Sequence, residues 1–194
     1  MNYPLQISFK ILAIAQQMTA LDAGGKIAFY VKQKAFKLKE DITLFADEAQ
    51  TQPLYHIKAD RVIDFNARYN FTNPQGQAVG SVKRQGMKSL WKSHYDVLDG
   101  DAVVLSIHEE NPWIKVLDRL VGEIPVVGML SGYFLHPAFL VTRPDGTVII
   151  RLQKQAALFE GRFSVEKRTE FLPNEEARAL LGLVMMLLLE RRKG

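Results

Sequence analysis

No cysteine occurs anywhere in the 194 residues. Disulfides, thiolate metal sites and a cysteine nucleophile are thereby excluded, and the composition fits a reducing compartment. Histidine is scarce too. His56, His94, His108 and His136 are scattered, and none has a partner at metal-ligand spacing in the sequence. Neither a metal nor another cofactor is expected, because glycine-rich phosphate loops and alternating-acid calcium loops are also missing. Proline, glycine and serine are nowhere concentrated into a linker, so residues 1–194 read as one domain. The short apolar stretch Ile11–Ala15 follows Lys10 and gives way to Gln16 and Gln17, which does not make an export signal. The expected location is the cytoplasm, with room for a peripheral position at a membrane. Charge of one sign is not dominant. Lysine and arginine total 25 against 21 aspartates and glutamates, a net +4 that permits an anionic partner without requiring one. No nucleic acid is expected among the partners.

Long apolar runs are absent with one exception. From Ala179 to Leu189 the chain reads Ala-Leu-Leu-Gly-Leu-Val-Met-Met-Leu-Leu-Leu, apolar on every face of a helix. Pro173, an N-capping Asn174 and the acids Glu175 and Glu176 precede it; Arg191, Arg192 and Lys193 follow, matching both poles of the helix dipole. The spacing predicts a helix over 174–192. A helix without a polar side needs either a protein interior or a bilayer around it. Eleven apolar residues rise only about 16 Å, whereas a bilayer core needs roughly 30 Å and about 20 residues. Length decides for a protein interior.

Upstream, two-residue alternation dominates. Ile27, Phe29 and Val31 share one face; so do Val103, Leu105 and Ile107, and again Val148, Ile150 and Leu152. Gly24-Gly25, Asn73-Pro-Gln-Gly76, Asp99-Gly-Asp101 and Pro144-Asp-Gly146 mark turns. Runs between turns number about twelve. A weak repeat runs through them: Val31-Lys32, Ile57-Lys58 and Val82-Lys83 recur 26 and then 25 residues apart. Each is followed by an alternating pair, Ile42/Leu44, Tyr69/Phe71 and Tyr95/Val97, which makes the unit a hairpin. The fold class is β-rich (α+β): a closed barrel of about twelve mainly antiparallel strands enclosing the hydrophobic C-terminal helix. Closure would remove the exposed edges, and a helix about 10 Å wide needs a cage larger than eight strands.

The chain resembles the LURP-one-related family of the tubby-like superfamily, to which the phospholipid scramblases are related. The resemblance is carried by Tyr30-Val-Lys-Gln-Lys-Ala-Phe-Lys-Leu38, Ile42-Thr-Leu-Phe45, Leu54-Tyr-His-Ile-Lys58, Tyr69-Asn-Phe71, Gly80-Ser-Val-Lys-Arg84, Tyr95-Asp-Val97 before Asp99-Gly100, and the terminal apolar helix. It implies a tubby-like barrel of twelve strands around a central C-terminal helix. Residues 111–131 fall outside that pattern and read as a helical insertion, with Trp113, Val116, Leu117 and Leu120 at helical spacing. For function the resemblance implies little: tubby proteins bind phosphoinositides, scramblases act at membranes, and many LURP-one-related proteins have no assigned activity. Fold does not fix function.

The candidate anionic-ligand residues are Lys32, Lys34, Lys58, Lys83 and Arg84. If Val31, Ile57 and Val82 point inward, Lys32, Lys58 and Lys83 point outward, at similar heights if successive hairpins are equivalent. Between Val79 and Tyr95 stand four cations, Lys83, Arg84, Lys88 and Lys92, and no carboxylate. Such a stripe can hold anionic headgroups, each cation contributing about 1 kcal/mol near a charged surface. A solvated barrel exterior accounts for the same lysines. His56, His94 and His108 fall on outward faces and read as surface histidines. The carboxylate pairs Asp99/Asp101, Glu109/Glu110 and Glu175/Glu176 sit at a turn, a strand end and a helix start, so none calls for acid–base chemistry. Ser89-Leu-Trp-Lys92 has the spacing of a Ser-x-x-Lys nucleophile, a match common by chance. No catalytic residue is assigned and no enzyme is expected. Two binding readings remain: a module for anionic phospholipid at a membrane surface, and a scaffold barrel docking a protein through residues 111–135. Within that segment the apolar, glycine-containing stretch Leu120–Leu135 is of a kind that more often closes one end of a barrel.

Overall fold

The computed structural model of the protein describes residues 1–12, 15–34, 41–61, 67–85, 94–110, 137–155 and 161–191. Expectations for residues 111–136, including the helical insertion, His136 and the docking segment, lie outside the described residues, as do those for Ser89 and Lys92.

Among the described residues twelve strands and one helix follow one another: β1 (Leu5–Leu12), β2 (Ala15–Leu21), β3 (Ile27–Lys34), β4 (Asp41–Phe45), β5 (Pro53–Ala59) and β6 (Arg68–Thr72). Then come β7 (Ala78–Arg84), β8 (His94–Asp99), β9 (Ala102–Glu109), β10 (Ala138–Thr142), β11 (Val148–Gln155), β12 (Arg162–Lys167) and α1 (Glu175–Glu190). Each strand pairs antiparallel with its sequence neighbours, and β1 pairs with β12 from Leu5↔Val165 to Ser8↔Arg162, which closes the barrel. The three repeat units are the hairpins β3–β4, β5–β6 and β7–β8. Their alternating residues Val31, Ile42, Leu44, Ile57, Tyr69, Phe71, Val82, Tyr95 and Val97 are all buried, as the repeat required.

A meander puts its connections alternately at two ends. One end carries the turns that glycine and asparagine marked in the sequence, with Gly25, Gly76, Gly100 and Gly146 all at positive φ, where a side chain would be strained. The chain enters α1 from this turn end and runs through the bore to the other.

Every residue of α1 from Ala179 to Leu188 is buried. The helix has no solvent side, and the wall supplies the matching apolar surface from Leu5, Phe9, Phe71, Ile107, Ile150 and Val165, among others. Twelve strands about 4.8 Å apart and tilted by about 40° close at a radius of roughly 12 Å, which admits a helix plus the inward side chains. The helix is not centred. It lies closest to β6–β9, and Gly182 makes this possible: a Cβ there would stand 2.9 Å from Val97 Cγ2 and 3.1 Å from Ile107 Cδ1. Next to that contact a crevice of about 60 Å³ remains between α1 and β3–β5, lined by Phe29, Leu44, Tyr55, Leu180 and Leu181 among others. It adjoins the β3–β4 seam, where Tyr30↔Phe45 is the one registered pair among the described residues.

Asn174 precedes the helix as expected but does not cap it through its side chain. It adopts φ 63° and ψ −3°, with no side-chain cap hydrogen bond. Glu175 does the local work instead: its carboxylate accepts the Leu172 N–H at 2.9 Å and a two-pronged contact from Arg143, 2.8 Å at each oxygen.

Candidate functional site

The pleat puts Lys32, Lys58 and Lys83 on the outer wall, all exposed, while Val31, Ile57 and Val82 face the core. All three lysines stand near the ends of β3, β5 and β7 that lie away from the turn end. They are not at one height. Lys58 pairs across β6 with Asn70, which pairs with Ser81 of β7, so Lys83 stands two residues further along. Continuing the Tyr30↔Phe45 register likewise sets Lys32 level with His56, two residues from Lys58. Successive lysines thus climb a diagonal, two strands across and two residues along, about 12 Å per step. That exceeds the screening length of about 8 Å at physiological salt. Acids also flank the line: Asp41 is opposite Lys58 and Asp96 is opposite Lys83.

Lys34 continues β3, and its side chain lies outside the described residues. Arg84 does not join the outer line. The alternation that turns Lys83 outward turns Arg84 inward beside Val82, where it is paired with Tyr95 and its Nε is buried without a hydrogen-bond partner. The expectation that grouped Arg84 with Lys83 is corrected on this ground, because neighbours on a strand face opposite sides.

The helix is tied at both ends. At the turn end Arg143 grips Glu175, and Arg178 reaches Asp99 at 2.5 Å while its Nε donates to the Val79 carbonyl at 2.7 Å. The Arg143 contact holds the Glu175 carboxyl below the usual carboxylate range. Gly80 leaves space for the Arg178 stem: a Cβ there would meet Arg178 Cγ at 3.3 Å and the Leu98 carbonyl at 2.7 Å. Tyr3 donates to Glu176 at 3.1 Å. At the far end Tyr95 donates to Glu190 at 2.6 Å, and burial, with the negative charge of Glu190, pushes the phenol up. Arg191 lies over the Phe9 ring, 4.5 Å from its centroid. The carboxylate pairs therefore have structural partners: Asp99 and Asp101 take Arg178 and Arg68, Glu110 takes Arg151, and Glu175 takes Arg143, while Glu109 turns into the barrel.

Acidic groups gather at one end of the barrel. The five turns and the start of the helix hold Asp22, Asp47, Glu48, Asp99, Asp101, Asp145, Glu170, Glu175 and Glu176. Against them stand Lys26, Arg143 and Arg168, and also Arg68, Lys167 and Arg178, which reach Asp101, Glu170 and Asp99. Nine acids against six bases give −3 at this rim. Since the whole chain is +4, all its other residues together carry +7.

Of the histidines, His56 shares a 3.0 Å hydrogen bond with Thr43. His94 and His108 meet directly across β8 and β9, a pairing that their 14-residue separation did not show, with stacked rings 6.2 Å apart. Among the described residues no group of three or more histidines, aspartates or glutamates is converged on a metal position. No helix among them is long and apolar enough to cross a membrane.

A closed antiparallel barrel of twelve strands threaded by its own apolar helix is the architecture of a tubby-like module. The family model for LURP-one-related proteins matches residues 27–166, and the chain belongs to that family. The match spans β3 to the greater part of β12; the closing strands β1 and β2 and the helix α1 lie beyond it. Neither the curated proteins nor the solved structures yielded a match.

Proposed function

We propose that this chain is a non-enzymatic binding module that recognises anionic phospholipid headgroups at a membrane surface. The observation that carries the reading is the uneven distribution of charge: an acidic rim of −3 at the turn end, and +7 over the remaining residues. A barrel polarised in this way orients itself in the field of an anionic surface, with the turn end away and the ends of β3, β5 and β7 toward it. Lys32, Lys58 and Lys83, with Lys34 beside them, are the contacting cations in this reading. Arg84 is left out because it faces the core.

Spacing of about 12 Å suits several separate headgroups better than one multiply charged headgroup. Each lysine adds about 1 kcal/mol, so binding is weak and sensitive to salt. The crevice of about 60 Å³ beside α1 holds only a few water-sized groups and is too small for a headgroup.

Flotation with vesicles of phosphatidylcholine alone, or with phosphatidylserine added, tests this. At low salt the protein floats only with the anionic vesicles, and raised salt releases it. The charge-reversed variant Lys32→Glu/Lys58→Glu/Lys83→Glu stays in solution. An unaltered protein that stays in solution with anionic vesicles at low salt ends the lipid reading.

A further inference from the structure

We propose that the crevice between α1 and β3–β5, with the acidic turns beside it, docks a basic segment of a partner protein that inserts one aliphatic side chain. The inference stands apart from the lipid reading, since the crevice lies at the turn end and the lysine diagonal lies toward the other.

The crevice is apolar within and open at the rim. Phe29, Leu44, Leu180 and Leu181 are buried along it, while Met1, 55% exposed, and the part-exposed Glu176 also line it. A dry cavity that holds a benzene ring measures about 150 Å³. At about 60 Å³ this one takes the tip of a single aliphatic side chain and no aromatic ring. Apolar surface meets solvent at the same end of the barrel. The exposed large apolar side chains among the described residues are Met1, Leu21, Val103 and Leu172, and all four belong to the turn end.

Charge selects the occupant. The acids of the rim divide into two groups. Asp99, Asp101, Glu170 and Glu175 are each paired with a cation, respectively Arg178, Arg68, Lys167 and Arg143. The acids in the two turns that flank the crevice are not. Among the described residues no ion pair joins Asp22, Asp47 or Glu48 to a lysine or arginine. Asp22 accepts the backbone N–H groups of Gly24 and Lys26, and Asp47 those of Thr51 and Gln52. These bonds fix the two carboxylates and leave their charge uncompensated. Glu48 is exposed, and its charge acts after burial in raising the Tyr30 phenol, which sets it beside β3. Glu176 is met by the Met1 amino group at 4.0 Å and by Tyr3. An apolar slot with unpaired acids on two sides favours lysine or arginine flanking the inserted side chain, and disfavours an acidic or neutral segment. A single buried anchor within a ring of charge is the pattern of a small, salt-sensitive contact.

Nitrogen–proton spectra of the labelled protein, titrated with capped pentapeptides Lys-Lys-X-Lys-Lys, read the outcome. With leucine at X, the amides of Ala28, Tyr55, Ala177 and Leu181 shift saturably. Serine at X weakens binding roughly tenfold, the worth of burying much of a leucine side chain. Glu-Glu-Leu-Glu-Glu does not bind. Glu48→Lys weakens the leucine peptide roughly threefold, less at high salt, whereas Asp101→Asn on the paired side of the rim leaves it unchanged. Ala177→Leu fills the crevice and removes the preference for leucine over serine without altering the charge. Because filling the crevice can strain the helix, the leucine–serine comparison on the unaltered protein stands by itself. Equal binding of the two peptides, shifts confined to other surfaces, or no saturable shift would overturn the proposal.

Discussion

The two ends of the central helix are held by different physics. At the turn end, two arginine–carboxylate pairs and a carbonyl contact fix Glu175 and Arg178 to β7, β8 and the β10–β11 turn, and the Tyr3 phenol adds a bond to Glu176. At the far end, one phenol–carboxylate bond and one cation over an aromatic ring do so. Between them lie ten residues that are buried all round. Burial of a uniformly apolar cylinder is strongly favourable but says little about its depth or rotation, since sliding or turning it still buries apolar surface. The polar contacts at the ends supply that specificity, together with Gly182, where the helix lies close against Val97 and Ile107.

The division of labour can be broken at graded cost. Deleting everything after Pro173 removes the filling of the bore; the product is expected to lose its cooperative thermal transition and near-ultraviolet dichroism. A truncated chain that melts sharply would show that the barrel stands without its helix. Next comes Arg143→Met, which leaves the Glu175 carboxylate without its cation and lowers stability at neutral pH, read by denaturant unfolding. Its pH dependence is specific. Folding depresses the Glu175 pKa, so the stability it lends is complete above its unfolded value near 4.5 and is lost as pH falls through the folded value. The gap between Arg143→Met and the unaltered protein therefore narrows below that value.

Gly182→Val forces atoms into Val97 and Ile107 and costs about 1–3 kcal/mol, an overpacking penalty with no pH dependence. Tyr95→Phe, at the far end, removes one hydrogen bond to a charged group and costs about 1–2 kcal/mol. If Tyr95→Phe proved costlier than Arg143→Met, the far end would be the principal anchor and the contrast would reverse.

Most of the architecture was legible because its signals are local. All-round apolarity from Ala179 to Leu189 excluded a surface helix, and the Val-Lys, Ile-Lys and Val-Lys repeats marked three strands that start hairpins. The site was less legible. The inward turn of Arg84 follows from the same alternation that places Val82, but nearness in sequence to Lys83 obscured it. The diagonal of lysines depends on the stagger between strands, which equal repeat lengths do not disclose. The meeting of His94 and His108 needs the hairpin register, shifted by a bulge between Val97 and Leu98. Asn174 carries a capping side chain that makes no cap hydrogen bond, and the helix start is fixed instead by Arg143 on Glu175, a tertiary contact invisible to local propensity.

The β1–β12 seam has a consequence for how the chain assembles. Leu5 must find Val165, 160 residues later, before the sheet has no free margins. Until then eleven strands form an open, curling ribbon whose greasy inner face is wet, and the helix that covers it is synthesised after all of them. Non-local closure of this kind is slow and leaves an aggregation-prone intermediate. Shielding by chaperones during synthesis is expected to matter more for such a topology than its modest size suggests.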